Sequence, residues 1–139
     1  MKRGAFLQPN FFPWIGYFEI IKFVDFFLIL DDVQYTKRDW RNRNYINFNG
    51  KKIDITVPVK TKNRYLQKIN ETEINDNQWL NEIYKKLKYC YGKSKYYEEI
   101  SEFLKNILIK TQGEKKLFNL TYLSIFEIMK YLNINKNIS

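Results

Sequence analysis

The chain has 139 residues, of which 45% are hydrophobic and 18% aromatic, a composition that excludes a disordered protein and suits a single compact domain. The 24 lysines and arginines exceed the 15 acidic residues, so the formal charge is +9, which raises the question of an anionic partner. There are no histidines, which excludes histidine-based acid–base catalysis, Ser-His triads and histidine-ligated metals.

The first 30 residues predict a βαβ unit. Residues 4–8 form a short run that Pro9 ends, as expected of a first strand. Apolar residues recur at spacings of three and four from residue 14 to 24, which predicts a helix. Residues 26–30 are a continuous apolar run, which predicts a strand buried on both faces of a parallel sheet.

The same segment bears on the location of the protein. Residues 11–30 are rich in apolar side chains, but Glu19, Lys22 and Asp25 interrupt them and would be costly inside a bilayer. The basic start of the chain is not followed by the uninterrupted apolar core of a signal peptide. The sequence therefore predicts a cytoplasmic protein without a membrane span.

A β-hairpin is predicted next. Residues 45–48 and 52–57 flank Asn49-Gly50, a dipeptide favoured in tight hairpin turns because both positions tolerate positive φ. Residues 60–77 are polar and predict a loop, with one short strand near 67–69.

Three helices are predicted in the second half of the chain. Asp76 or Asn77 can cap the first, Ser94 opens the second, and the third covers about 115–132. Cys90 lies on the apolar face of the first helix, which predicts a buried structural thiol rather than a nucleophile. The apolar stripes predict core faces rather than cofactor sites.

Polar residues follow both strands of the predicted βαβ unit. Ligands of parallel sheets bind beyond the carboxyl ends of the strands. The residues expected there are Gln8, Pro9, Asn10, Asp31, Asp32 and Gln34. Asp31 and Asp32 are candidate catalytic groups, with the alternative that they only terminate the strand.

The next segment is dense in cationic and aromatic side chains. Guanidinium groups give paired, planar donors to phosphate. The cations that would form such a site are Lys37, Arg38, Arg41 and Arg43. If residues 40–45 are extended, Trp40, Asn42 and Asn44 share a sugar-binding face, opposite Arg41, Arg43 and Tyr45. The alternative places Trp40 in the core and pairs the arginines with Asp31, Asp32 and Asp39.

Four motifs in the same order resemble the WbqC-like family. They are QPNFFPWIGYF at 8–18, DDVQY at 31–35, WRNRN at 40–44 and TVPV at 56–59. The resemblance implies a bacterial role in making O-antigen-type surface polysaccharides, with transfer of glycine or another acyl group onto an amino sugar, which is expected to be nucleotide-linked.

The predicted site combines this resemblance with the polar segments. Asp31 and Asp32 are the predicted catalytic residues. The residues predicted to bind the substrate are Gln8, Pro9, Asn10, Trp14, Gln34, Tyr35, Lys37, Arg38, Trp40, Arg41, Asn42, Arg43 and Asn44. No metal site is predicted, and nothing in the sequence identifies a cofactor.

The resemblance also has implications for the fold and for how much of the family's length the chain covers. The order of strand, turn, helix and strand looks like a small Rossmann-like core of the nucleotidylyltransferase type, but the histidines of that family's phosphate motif are missing, so its chemistry is not carried over. Members of the WbqC-like family continue into a further α/β segment. Residues 1–139 are therefore expected to be one WbqC-like domain without that segment.

A non-catalytic binding module for a sugar nucleotide or nucleic acid is the rival hypothesis. Residues 84–89 interleave tyrosines with lysines, as single-strand binders do, but on a helix these tyrosines share the apolar face. Burial of Tyr84 would count against nucleic acid. The expected partners are a small-molecule substrate and other glycan-biosynthesis enzymes.

Overall fold

The computed structural model describes residues 1–76 and 78–139, which form a mixed α/β fold. The elements are β1 (Gly4–Leu7), α1 (Ile15–Phe23), β2 (Phe26–Ile29), β3 (Arg43–Phe48), β4 (Lys51–Thr56), α2 (Trp79–Tyr91), α3 (Tyr97–Lys110) and α4 (Leu117–Tyr131). The α/β class, the hairpin and the C-terminal helices predicted from the sequence are confirmed.

The parallel pair of β1 and β2 is the predicted βαβ unit. Gly4 pairs with Phe26 and Leu7 with Ile29, and α1 connects the two strands. The apolar face of α1 packs against Phe27 and Ile29, and α4 completes this cluster with Ile125 and Met129.

The prediction that β2 is buried on both faces was wrong. Phe27 and Ile29 are buried, but Phe26 is 46% exposed and Leu28 36% exposed. Side chains alternate along a strand, and α1 and α4 cover one face of this sheet. Within the described residues the sheet has two strands, with Ile138 making a single parallel bridge to Phe27. The Rossmann-like character of the core therefore stays a prediction.

The hairpin turns at Asn49 and Gly50, whose φ values are 49° and 76°. Both values lie in the left-handed region that this dipeptide tolerates. Ile46 and Ile55 face inward and pack with Phe11, Leu117 and Leu120 in a second cluster. The hairpin thus joins the first third of the chain to the helical half.

The segment before α2 differs in part from its prediction. Lys68 makes a single antiparallel bridge to Gln34, and Ile69–Glu71 form a 3₁₀ turn in place of a strand. Asp76 accepts a hydrogen bond from the backbone N–H of Gln78 at 2.9 Å, next to the start of α2, whereas Asn77 lies outside the described residues.

The helices are short enough to belong to a compact domain. No described helix has the length and apolar composition that crossing a membrane requires.

Cys90 on α2 is a free thiol that is half-buried rather than fully buried. α3 begins at Tyr97, three residues after the predicted opening at Ser94.

Candidate functional site

A cleft with aromatic walls lies between the start of α1 and the start of β3. Its volume is about 290 Å³, and its lining residues are Asn10, Pro13, Trp14, Trp40, Asn44 and Tyr45. We call it the aromatic cleft. The turn after β1 supplies three of these residues, and the segment entering the hairpin supplies the other three.

The two tryptophans of the cleft are unusually open to solvent. Trp14 is 64% exposed and Trp40 46% exposed, whereas Trp79 in the core is 3% exposed. The rings of Trp40 and Tyr45 lie 5.7 Å apart at 53°. Contiguous exposed aromatic side chains are typical of interaction surfaces, and ligand-binding grooves are one kind of such surface.

Gly16 allows Trp14 to take its position at the cleft. A side-chain carbon added at Gly16 would overlap the indole ring of Trp14. The glycine is therefore required for the ring to lie over the first turn of α1. This steric requirement explains why a glycine follows Trp14-Ile15 in the sequence.

Hydrogen bonds to backbone carbonyls connect the two walls of the cleft, one from a backbone N–H and two from the Asn44 side chain. The N–H of Phe11 donates to the carbonyl of Trp40 at 2.9 Å. The amide of Asn44 donates to the carbonyls of Phe11 and Phe12, at 3.1 and 2.7 Å. Asn44 is thus committed to holding the turn after β1 against β3, and it shapes the cleft by doing so.

An ion pair lies next to this turn. Arg41 Nη2 is 3.3 Å from Asp39 Oδ2, and Arg41 Nη1 donates to Asn10 Oδ1. Asp39 also accepts hydrogen bonds from the backbone N–H of Trp40 at 2.7 Å and from Thr36 Oγ1 at 2.8 Å. These bonds position both Asn10 and Trp40 at the cleft.

The surroundings of Asp39, Arg41 and Tyr17 shift the pKa of each side chain. Burial would raise the pKa of Asp39, but the hydrogen bonds from Trp40 and Thr36 and the charge of Arg41 outweigh it and hold that pKa below its usual value. Burial lowers the pKa of Arg41, and the negative charge of Asp39 partly offsets this shift. Burial raises the pKa of Tyr17 above its ordinary value, against the nearby charge of Arg41. The lowered pKa of Asp39 means that this carboxyl group is ionised at neutral pH.

Tyr35 and Asn42, both predicted to bind substrate, form a buried pair. The Tyr35 hydroxyl donates to Asn42 Oδ1 at 2.8 Å, and Asn42 Nδ2 donates to the carbonyl of Val57 at 2.8 Å. Burial, aided by the charge of Asp39, raises the pKa of Tyr35 to about 12, so the phenol remains a donor. The structure places these two side chains inside the protein, where they tie the loop to the hairpin.

The predicted division of residues 40–45 into two faces required an extended backbone, and that condition is not met. Residues 40–42 form a turn, and the strand begins only at Arg43. A turn breaks the period of two, so Trp40 lies against Tyr45 instead of on the opposite face. The alternative that Trp40 is a core residue is wrong, because the ring is exposed.

The predicted cationic cluster is dispersed among separate partners. Arg41 pairs with Asp39, as the alternative hypothesis expected, and Arg43 lies 3.6 Å from Asp54 of β4. The ammonium of Lys37 lies 5.1 Å from the centre of the Tyr65 ring. Arg38 is exposed in the turn, with a φ of 60°.

The residues that follow the two parallel strands take different positions. Gln8 accepts a hydrogen bond from Tyr17 through its carbonyl, and Pro9 is buried. Asp31 Oδ2 is 3.4 Å from the amide of Asn70, and Asp32 is exposed. Neither aspartate is among the residues that line the aromatic cleft.

Two lining residues were not predicted from the sequence. Pro13 was noted only as part of the motif at 8–18, and Tyr45 was assigned to the face opposite Trp40. A signal for Tyr45 was available in the sequence. Tyr45 pairs with Asp54 on the hairpin face that carries charged residues, and an aromatic ring on that face stays exposed.

Among the described residues, no group of three or more cysteine or acidic side chains is placed to hold a metal ion.

Comparisons with known proteins place these residues within a family. The model of the WbqC-like protein family matches residues 8–139. The chain is 41% identical over 140 residues to the uncharacterized protein Rv1507c of Mycobacterium tuberculosis, an alignment that covers all of this chain and 60% of that relative. The chain thus spans about three fifths of the length of that relative. No solved structure matches the chain.

Proposed function

Because the chain belongs to the WbqC-like protein family, which is associated with surface-polysaccharide biosynthesis, we propose that its aromatic cleft binds a sugar intermediate of that process. The observation that carries this proposal is the pair of exposed indole rings, Trp14 and Trp40, in one cleft. The cleft lies within residues 8–139, the part that matches the family.

The chemistry of the cleft suits one sugar ring. The apolar faces of sugars pack on aromatic rings, and their hydroxyl groups need a few fixed polar partners. Asn10 Oδ1 is held by Arg41, which orients the amide so that its Nδ2 can donate to a ligand. A volume of about 290 Å³ lies just below the range of small-molecule sites, about 300–1,000 Å³, and so suits a single ring.

The reaction we propose is transfer of glycine or another acyl group to the amine of the sugar, as the family resemblance implies. The amine would attack the carbonyl of an activated donor and lose a proton to Asp31 or Asp32, and the leaving group of the donor would depart. β1 and β2 are parallel neighbours, so Asn10 and Asp31 follow strands that end at the same edge. In this proposal the βαβ unit belongs to a Rossmann-like core.

A sugar-binding module without catalysis is the second candidate function. The observation that favours it is that Asp31 and Asp32 do not line the cleft. Tyr84 is half-buried, which counts against stacking on a nucleic acid. The prediction that both tyrosines of residues 84–89 share the apolar face was wrong for Tyr89, which is 74% exposed.

A thermal-shift titration tests the proposed binding. We expect an amino sugar or its nucleoside diphosphate derivative to raise the melting temperature, because a ligand at about 100 times its Kd adds about 2.7 kcal/mol to stability. A double variant, Asp31→Asn with Asp32→Asn, should keep this shift and lose acyl transfer. Stabilisation by oligonucleotides alone would contradict sugar binding, and full transfer by the double variant would remove both carboxylates from the reaction.

A further inference from the structure

A second cavity, of about 360 Å³, opens beside the loop that follows β2. Its lining residues are Gln34, Tyr35, Thr36, Lys37, Arg64 and Tyr65. We call it the cationic groove, because its two charged lining residues are a lysine and an arginine. Arg64 and Tyr65 lie in the polar segment that the sequence predicted only as a loop.

The groove combines positive charge with an exposed aromatic ring. Tyr65 is 70% exposed, and the ammonium of Lys37 lies 5.1 Å from its ring centre. The side-chain amide of Gln34 donates to the carbonyl of Tyr65 at 2.9 Å, which fixes the backbone that carries the ring. Two cations suit a diphosphate, and a ring held in solvent suits stacking by a base.

The cations of the groove are not neutralised by its other lining residues. Arg64 Nη1 is 3.6 Å from Glu73, but the same carboxylate is held more closely by Lys60, at 2.9 Å. The guanidinium of Arg64 therefore has donors left for a ligand, since it carries five N–H groups in all.

A chain of contacts connects the groove with the aromatic cleft. Thr36 lines the groove and donates to Asp39, which pairs with Arg41. Arg41 in turn donates to Asn10, which lines the cleft. The segment 36–41 thus contributes to both cavities, with Thr36 and Lys37 lining the groove and Trp40 lining the cleft.

We propose that the cationic groove binds the nucleoside diphosphate of a nucleotide-linked sugar, with the diphosphate on Lys37 and Arg64 and the base on Tyr65. This inference rests on the proposed function, which puts the sugar of the same ligand in the aromatic cleft. The phosphate site predicted on Lys37, Arg38, Arg41 and Arg43 shares only Lys37 with this groove, and its Arg41 is half-buried in the ion pair with Asp39.

Calorimetric titration with uridine diphosphate, adenosine diphosphate and inorganic pyrophosphate tests the inference. We expect at least one nucleoside diphosphate to bind about tenfold more tightly than pyrophosphate, because a stacked base adds affinity that the anion lacks. Lys37→Ala and Arg64→Ala should each weaken binding of all three ligands about tenfold. Tyr65→Ala should weaken the nucleoside diphosphates and leave pyrophosphate unchanged.

A matched control exists on another part of the surface. The ammonium of Lys95 lies 5.0 Å from the ring centre of Tyr96, the same arrangement outside the groove, so Lys95→Ala should leave every affinity unchanged. Equal affinity for pyrophosphate and nucleoside diphosphates, or full binding by a Lys37→Ala, Arg64→Ala double variant, would overturn the inference. If nucleoside diphosphates bind, but free amino sugars do not bind and an attached amino sugar adds no affinity, the proposed function alone is refuted.

Discussion

Replacing Asn42 by leucine is expected to lower the free energy of unfolding by about 3 kcal/mol. The change removes both the acceptor of the Tyr35 hydroxyl and the donor to the Val57 carbonyl. Each buried group left without a partner costs about 1–3 kcal/mol. Leucine has the same branched shape as asparagine and is not smaller, so the substitution leaves no cavity and removes the hydrogen bonds.

Urea denaturation measures this change, since the midpoint shifts while the slope stays constant when only stability is altered. Asn47→Leu is the matched control, because Asn47 is an exposed asparagine on β3, the strand that directly follows Asn42. Its free energy of unfolding should stay within about 0.5 kcal/mol of the original. Equal effects of the two substitutions would show that the Tyr35–Asn42 pair does not hold the loop.

Removing either tryptophan of the aromatic cleft is expected to weaken sugar binding about 30-fold. Truncation of a central aromatic contact costs about 2 kcal/mol, and every 1.4 kcal/mol is tenfold in Kd. Trp14→Ala and Trp40→Ala should both show this loss in calorimetric titrations with the sugar that stabilises the original protein. Both rings are exposed, so the melting temperature of the free protein should change little.

Tyr89→Ala provides the comparison for these variants. Tyr89 is an exposed aromatic residue on α2 and is not among the lining residues of the cleft. Its removal should leave the affinity for sugar unchanged. Unchanged affinity in both tryptophan variants would show that the sugar binds elsewhere.

The elements with strong local patterns were predictable from the sequence. The Asn49-Gly50 turn needs positive φ, and the alternation of Ile53, Ile55 and Val57 puts the last two inside. The βαβ unit follows from apolar spacing alone. The exposure of Phe26 and Leu28 was not predictable, because it depends on how many strands and helices surround β2.

The site was predictable only in part, for a physical reason. The motifs marked Asn10, Trp14, Trp40 and Asn44, which do line one cleft. The turn at residues 40–42 reversed the expected neighbours of Trp40, because alternation holds only in extended backbone. The pairing of Arg41 with Asp39 was one of the alternatives that the sequence offered, whereas the pairing of Arg43 with Asp54 depends on how β3 and β4 face each other.

The most direct test of sugar binding uses the three tryptophans as reporters. Trp14 and Trp40 are exposed to a dissolved quencher, whereas Trp79 is buried and serves as an internal reference. Iodide quenching of the intrinsic fluorescence should fall as methyl glycosides of amino sugars are added, because the bound sugar covers the two exposed rings. Quenching that stays unchanged at millimolar sugar, and likewise with nucleotide-linked amino sugars, would contradict the assignment of the aromatic cleft as a sugar site.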